Sequence, residues 1–111
     1  MPTRRLLLVL LFIALSSSIL HASTIRVPSD YPTIQDAVDA AKDGDVVLIA
    51  PDIYYENILL YNVDITLASN YIESQDEADI HNTVIDGQGE TVLEIVKVGP
   101  TTTIIGLTIQ N

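Results

Sequence analysis

The sequence predicts an all-β solenoid with one helix in front of it. Short runs of Val, Ile, Leu and Thr follow one another from residue 45 onward, and turn residues separate them. Ile65-Thr66-Leu67, Val84-Ile85 and Ile104-Ile105 recur at intervals of roughly twenty residues, which is typical of a solenoid repeat. A unit of that length cannot bury its apolar side chains alone, so each unit is expected to stack on the next.

A short β-run is predicted at Thr24–Val27, before the helix, and six strands are predicted after it, with no second helical pattern between them. Each is short and ends at Pro, Gly, Asn or Asp-rich turn sequence. The predicted strands cover 45–50, 58–60, 64–68, 83–85, 92–96 and 103–109.

The predicted helix begins after Thr33, whose hydroxyl suits an N-cap, with Asp36 three residues further on. Asp43-Gly44 is expected to end it, because glycine readily adopts the left-handed conformation found after a helix. One face of the helix is apolar at helical spacing. That face carries Ile34, Ala37, Val38 and Ala41. Such an amphipathic helix could cap the first strands and keep their unpaired edges from water.

The first 22 residues have the order of a secretory signal peptide. A basic start at Arg4-Arg5 precedes an apolar run over 6–15 and small residues up to Ala22. The apolar run is shorter than the ~20 residues that span a bilayer, which disfavours the alternative of a retained anchor. We therefore predict cleavage after Ala22 and a secreted or cell-surface protein with no stable membrane span. The domain plan is 1–22 signal peptide, 23–44 β-run and capping helix, and 45–111 first coils.

The chain after Ala22 is strongly acidic. Three basic residues, Arg26, Lys42 and Lys97, face fifteen Asp and Glu, which leaves a formal charge of −12. Nucleic acid is an improbable partner for such a chain, and anionic membrane surfaces are disfavoured for the same reason. The sequence has no cysteine. Because small exported domains commonly depend on disulfides, we expect the stabilising partner to be the remaining coils of a longer protein.

A β-sandwich is the alternative fold, since it also consists of several short strands. Asp86-Gly87 is a dipeptide that favours a tight hairpin, and Gln88-Gly89 follows it. A sandwich has no evident need for an amphipathic helix at its start, which favours the solenoid.

Several segments occur together in one known superfamily. They are Tyr31–Ala41, Gly44–Pro51, Tyr54–Asn57, Ile65–Ser69, Thr83–Gly87 and Gly106–Asn111. In this combination the sequence resembles the N-terminal region of secreted right-handed parallel β-helix proteins of the pectin lyase-like superfamily. The resemblance implies an incomplete β-helix, truncated at the C-terminus, with a capping helix in Tyr31–Ala41.

The resemblance implies less about activity, because that superfamily includes esterases, lyases, hydrolases and non-enzymatic surface proteins. The expected function is that of a fragment of an exported protein that binds or modifies polysaccharide, such as a pectinesterase or polysaccharide lyase. The alternative is a non-enzymatic, adhesive cell-surface module. No catalytic residue of the superfamily maps onto this chain, so we predict that the fragment itself is not catalytic and binds no cofactor.

An acidic segment over 73–81 is the candidate metal site. Asp76, Glu77 and Asp79 offer oxygen ligands of the kind calcium takes, although they lack the spacing of an EF-hand loop. A solvated loop is the favoured interpretation of this segment. Tyr54-Tyr55-Glu56-Asn57 could stack on and bond sugars, or could serve the scaffold, which is the favoured interpretation.

Overall fold

The computed structural model describes residues 22–111, so the predicted signal peptide lies outside the described residues apart from Ala22. The strands are β1 Thr24–Val27, β2 Val46–Ile49, β3 Asp52–Tyr55, β4 Ile58–Tyr61, β5 Thr66–Ser69, β6 Thr83–Asp86, β7 Leu93–Val96, β8 Thr103–Ile105 and β9 Thr108–Gln110. The helices are α1 Ile34–Ala40, α2 Tyr71–Ser74 and α3 Glu77–Asn82.

All strand pairs of the described chain are parallel, and they form three separate sheets. The first sheet has the order β1-β2-β5-β8, the second β3-β6-β9 and the third β4-β7. Strands that are distant in sequence lie side by side, so Val47 is registered with Leu67, and Leu67 with Ile104.

The prediction of an all-β solenoid, a right-handed parallel β-helix, is wrong. The described residues form a small α/β structure, in which three helices accompany nine short strands in small parallel sheets. The sequence was expected to contain one helix, and the two others lie between β5 and β6. The recurrence of apolar strands does not reveal these two helices, because they form in a polar segment without an apolar stripe.

The segment over 71–82 is helical although its sequence has no apolar stripe. Asp76 caps α3, since its Oδ1 accepts a hydrogen bond from the Ala78 N–H at 2.9 Å. Gln75 adopts a left-handed conformation, with φ of 57°, and separates α2 from α3. Neither helix buries a side chain completely. Local capping, which periodicity does not detect, therefore accounts for these helices.

Helix α1 confirms the predicted start and corrects the predicted end. The Asp36 N–H donates to Thr33 Oγ1 at 3.1 Å, as expected of an N-cap. The helix stops at Ala40, because Ala41 is extended, with φ of −70° and ψ of 145°. Gly44, at φ of +91°, lies in the turn that leads to β2 and not at the helix end.

The core lies between α1 and the inner faces of the three sheets. Helix α1 contacts β1, β2 and β4 and buries Ile34, Ala37 and Val38 against them. The strands add the rest of the buried cluster. Its strand and turn members are Val27, Val47, Ile49, Tyr54, Ile58, Leu60, Ile65, Leu67 and Ile85.

Two further expectations about strands need correction. Asp52–Tyr55 forms β3, although no strand was predicted there. The predicted run over 103–109 is divided into β8 and β9 by Gly106, whose φ is +73°. The sandwich alternative is also wrong, because β6 pairs in parallel with β3 and β9 and forms no hairpin at Asp86-Gly87.

Candidate functional site

The acidic segment does not assemble a metal site. Asp76 is occupied in capping α3, and the Asp79 carboxylate accepts a hydrogen bond from Ser74 Oγ at 2.5 Å. Glu77 lies in the first turn of α3 and is exposed. Within residues 22–111, no group of three or more His, Asp or Glu side chains is placed to hold one metal ion. Two of the three candidate calcium ligands, Asp76 and Asp79, instead accept hydrogen bonds from the backbone and side chain of two short helices.

The motif Tyr54-Tyr55-Glu56-Asn57 is divided between core and surface. The Tyr54 ring is buried, and its hydroxyl donates to the Ala50 carbonyl at 2.7 Å. Burial raises the pKa of Tyr54, and the nearby carboxylates of Asp52 and Glu56 raise it further. Tyr55 is exposed. Tyr54 is therefore part of the scaffold, as the favoured interpretation of this motif expected.

Glu56 and Asn57 connect elements that are distant in sequence. Glu56 Oε2 accepts from the Ile34 N–H at 2.9 Å and Oε1 from the Gln35 N–H at 3.1 Å. These two N–H groups start α1 and have no partner within the helix. Asn57 Nδ2 donates to the carbonyls of Gly87 and Thr91 at 3.1 and 2.9 Å. Both side chains thus hold turns and helix in place.

Two buried carboxylates have a similar structural role. Asp45 accepts from the N–H groups of Lys42 and Ser23, each at 2.9 Å, and these bonds hold its pKa below the ordinary value. Asp86 accepts from the Gln110 side-chain amide at 3.0 Å and the Gln88 N–H at 2.8 Å, which lower its pKa in the same way. Ionised, fully bonded carboxylates of this kind are poor general bases.

A groove runs along the outer face of β4 and is the best candidate for a binding site. Leu59 and Tyr61 alternate on this face and are both exposed. On one side of Leu59 lies a depression of about 350 Å³. Its walls are Asn57, Ile58, Leu59, Glu90, Thr91 and Glu94.

A second depression, of about 320 Å³, lies on the other side of Leu59, between β4 and α1. Its walls are Gln35, Val38, Asp39, Ala41, Leu59, Tyr61 and Val63. Because both depressions share Leu59, we name them together the β4 groove. Lys97 Nζ lies 5.8 Å from the centroid of the Tyr61 ring, which is within the range of a cation–π contact.

The β4 groove combines an apolar floor with a polar rim. Leu59 and Tyr61 supply the apolar surface, and the carboxylates of Asp39, Glu90 and Glu94 stand around it. Among the described residues, no hydrogen bond uses the Glu90 or Glu94 side chain. A surface of this kind can stack on a flat ligand and accept hydrogen bonds from its hydroxyl groups.

Sequence reasoning missed this groove because its parts come from three separate segments. Residues near 35–41, 57–63 and 90–97 meet only through the parallel pairing of β4 with β7 and the packing of α1 on β4. The alternation of apolar residues in Ile58-Leu59-Leu60-Tyr61 was a usable signal, since period-two alternation places Leu59 and Tyr61 on one face.

Within residues 22–111, no helix has both the length and the apolar character needed to cross a membrane. In comparisons with known proteins, no family model, no curated protein and no solved structure matches this chain.

Proposed function

We propose that this protein is an exported, non-catalytic polysaccharide-binding protein, and that the β4 groove is its binding surface. The observation that carries the proposal is that Tyr61 and Leu59 are both exposed on the same face of β4. The carboxylates around them can accept hydrogen bonds from the hydroxyl groups of a ligand. An exposed aromatic ring that is not needed for packing is a common basis of ligand recognition.

The charge of the groove favours a neutral polysaccharide over a polyuronate such as pectin. Asp39, Glu90 and Glu94 outnumber Lys97 around the groove, and the chain after Ala22 carries a formal charge of −12. Bringing a polyanion to this surface would place like charges together. Hydroxyl groups of a neutral sugar can instead donate to these carboxylates. The proposal gives calcium and other cofactors no part in binding.

Affinity electrophoresis through gels that contain neutral galactan, xyloglucan or polygalacturonate tests the proposal. We expect retardation of the protein in at least one neutral gel, and loss of that retardation in Tyr61→Ala. Tyr55→Ala is the matched control, because Tyr55 is 60% exposed and Tyr61 53%, but Tyr55 lies on β3, outside the groove.

Two results would contradict the proposal. The first is free migration in every gel. The second is equal loss of retardation in both tyrosine variants, which would place binding outside the β4 groove. Retardation in polygalacturonate alone would support polysaccharide binding but would overturn the choice of a neutral ligand.

Export is proposed from the pattern of residues 1–22 and is tested separately. We expect the protein recovered outside the cytoplasm to begin at Ser23, as read by N-terminal sequencing. Arg4 and Arg5 changed together to Glu should retain the protein inside the cell. A mature protein that still begins at Met1 would contradict cleavage.

A further inference from the structure

The Gln35 side chain connects helix α1 to strand β4 at the wall of the β4 groove. Its Oε1 accepts from the Leu59 N–H at 2.8 Å, and its Nε2 donates to the Leu59 carbonyl at 3.1 Å. Nε2 donates a second bond, at 2.8 Å, to Oδ1 of Asp39. Both protons and the oxygen of the side-chain amide are therefore in use.

This set of bonds fixes the orientation of the Gln35 amide. If the amide were reversed, Oε1 would face two other acceptors, the Leu59 carbonyl and the Asp39 carboxylate, and Nε2 would face the Leu59 N–H. One orientation consequently satisfies all three contacts, so the direction in which Gln35 presents its donors is determined by its partners.

The backbone that carries Gln35 is also held. The Gln35 N–H donates to Glu56 Oε1 at 3.1 Å, and the N–H of the preceding residue, Ile34, donates to Glu56 Oε2 at 2.9 Å. Ile34 is completely buried. The base of the Gln35 side chain is thus fixed by packing and by hydrogen bonds to a charged group, and its end is fixed by β4.

Leu59, at the floor of the groove, is held from both sides of its strand. On one side β4 pairs with β7, where Leu59 is registered with Glu94. On the other side β4 is the last strand of its sheet, and Gln35 bonds the Leu59 N–H and C=O as a further strand would. Leu59 is 42% exposed and belongs to both depressions of the groove. The floor of the groove therefore depends on Gln35 as well as on β7.

Asp39 lies one helical turn after Gln35, at a spacing that places the two side chains side by side on α1. The bond from Gln35 uses Asp39 Oδ1. Among the hydrogen bonds within residues 22–111, none uses Asp39 Oδ2. Asp39 is exposed and lines the depression between β4 and α1, so Oδ2 is open to a ligand in the groove.

We propose that Gln35 is the positioning residue of the β4 groove. It holds Asp39 so that Oδ2 accepts a hydrogen bond from a hydroxyl group of the sugar that lies against Leu59 and Tyr61. This role rests on the proposed function, because it belongs to the same binding surface. A carboxylate that is already held loses less side-chain freedom when a ligand binds, so more of the hydrogen-bond energy contributes to affinity. Gln35 acts through Asp39 and Leu59, since its own amide groups are already bonded.

Affinity electrophoresis in the neutral galactan and xyloglucan gels tests this role, with the dissociation constant taken from mobility against polysaccharide concentration. Gln35→Met keeps the length of the side chain and removes its three bonds, and Asp39→Ala removes the acceptor. Each should weaken binding about tenfold. Because both changes remove the same interaction, the double variant should bind about as weakly as Gln35→Met alone. Independent roles would instead multiply to a loss of about a hundredfold.

Two control variants separate positioning from other effects. Asp36→Ala removes one negative charge from the same helix, but Asp36 is exposed outside the groove, so the dissociation constant should not change. Asp86→Asn, on β6, should lower the melting temperature and leave the dissociation constant unchanged. In the protein without ligand, the Leu59 amide should exchange faster in Gln35→Met than in Asp39→Ala, because only the first change removes the Leu59 bonds.

Nitrogen-15 NMR of the unchanged protein provides the test if Gln35→Met does not fold. The side-chain amide resonances of Gln35 should shift when a soluble xyloglucan oligosaccharide is added, and should shift less in Asp39→Ala. Resonances that do not move would overturn the positioning role.

The outcomes distinguish this role from the proposed function. Free migration of the unchanged protein in every gel would overturn both. Retardation that persists in Gln35→Met and Asp39→Ala would overturn the positioning role alone, and so would single losses that multiply in the double variant. Equal weakening by Asp36→Ala would also overturn it, because it would show a general effect of charge.

Discussion

The two ends of the three sheets carry similar side chains but are covered differently. The outermost strands are β1, β3 and β4 at one end, here called the closed end, and β7, β8 and β9 at the other, here called the open edge. At the closed end, α1 covers apolar side chains, and the side chains of Gln35 and Asp30 bond outward backbone groups of Leu59 and Arg26. At the open edge, isoleucines in register with buried residues are half exposed. The comparison teaches that burial here depends on whether a further layer is present and not on residue type.

The largest expected effect is a difference in unfolding free energy between alanine variants of Ile85 and Ile109, which are partners in register. Ile85→Ala should cost about 2–5 kcal/mol in the free energy of unfolding, because it leaves a cavity in the packed core. Ile109→Ala should cost about 1 kcal/mol or less, because its side chain is partly in water already. Urea unfolding at one low protein concentration measures both. Equal costs would show that the open edge is as well packed as the interior.

The next effect tests the attachment of the helix at the closed end. Glu56→Ala removes both acceptors for the first N–H groups of α1 and should cost about 1–2 kcal/mol. Urea unfolding measures the loss, and circular dichroism reports whether α1 frays. Glu73→Ala is the control, because Glu73 is exposed on α2, and it should cost much less. If Glu56→Ala left the free energy of unfolding unchanged, packing alone would hold the helix.

Acid stability should depend on one carboxylate near each end. Hydrogen bonds lower the folded-state pKa of Asp45 and Asp86, so their stabilising contribution is present at neutral pH and is lost as pH falls through those lowered values. Asp45→Asn and Asp86→Asn should each lower stability at pH 7. Below about pH 4, the stability of each variant should fall less steeply with pH than that of the unchanged protein. Thermal melts between pH 7 and pH 2.5 measure this. Glu77→Gln is the control on exposed α3, and its thermal stability should fall with pH as steeply as that of the unchanged protein.

The smallest effect concerns the short helices between β5 and β6. Asp76→Ala removes the cap of α3 and should cost about 0.5–1 kcal/mol. The effect should be local, with faster amide exchange in α3 and little change in the core, because α3 buries no residue completely. Glu77→Ala, which leaves the cap in place, should not change the exchange. A loss of several kcal/mol would show that α3 supports the sheets.

Part of this structure follows from local sequence. The start of α1 follows from the hydroxyl of Thr33 and the spacing of Ile34, Ala37 and Val38. The apolar strands were placed to within a few residues, because β-branched runs between turn residues favour extended backbone. The helices α2 and α3 were missed because capping by Asp76 acts without an apolar stripe.

The candidate binding site was the least predictable feature. The candidate calcium ligands Asp76, Glu77 and Asp79 do not form a metal-binding group within residues 22–111, because side chains that are close in sequence need not point toward one position. The β4 groove joins residues 35 and 94, which no local pattern connects. Tyr61 appeared in no predicted site, since only the packing of its strand places its ring on the surface.

By itself, the sequence determined the acidic character of the chain, the start of α1 and the apolar runs that become strands. Those features depend on charge, capping and period, which are local properties. The tertiary structure decided that the strands pair in parallel, that Glu56 reaches the N-terminus of α1, and that Ile85 is buried while Ile109 is exposed. The two isoleucines have the same chemistry, and their difference arises from the number of neighbouring layers, which no local pattern contains.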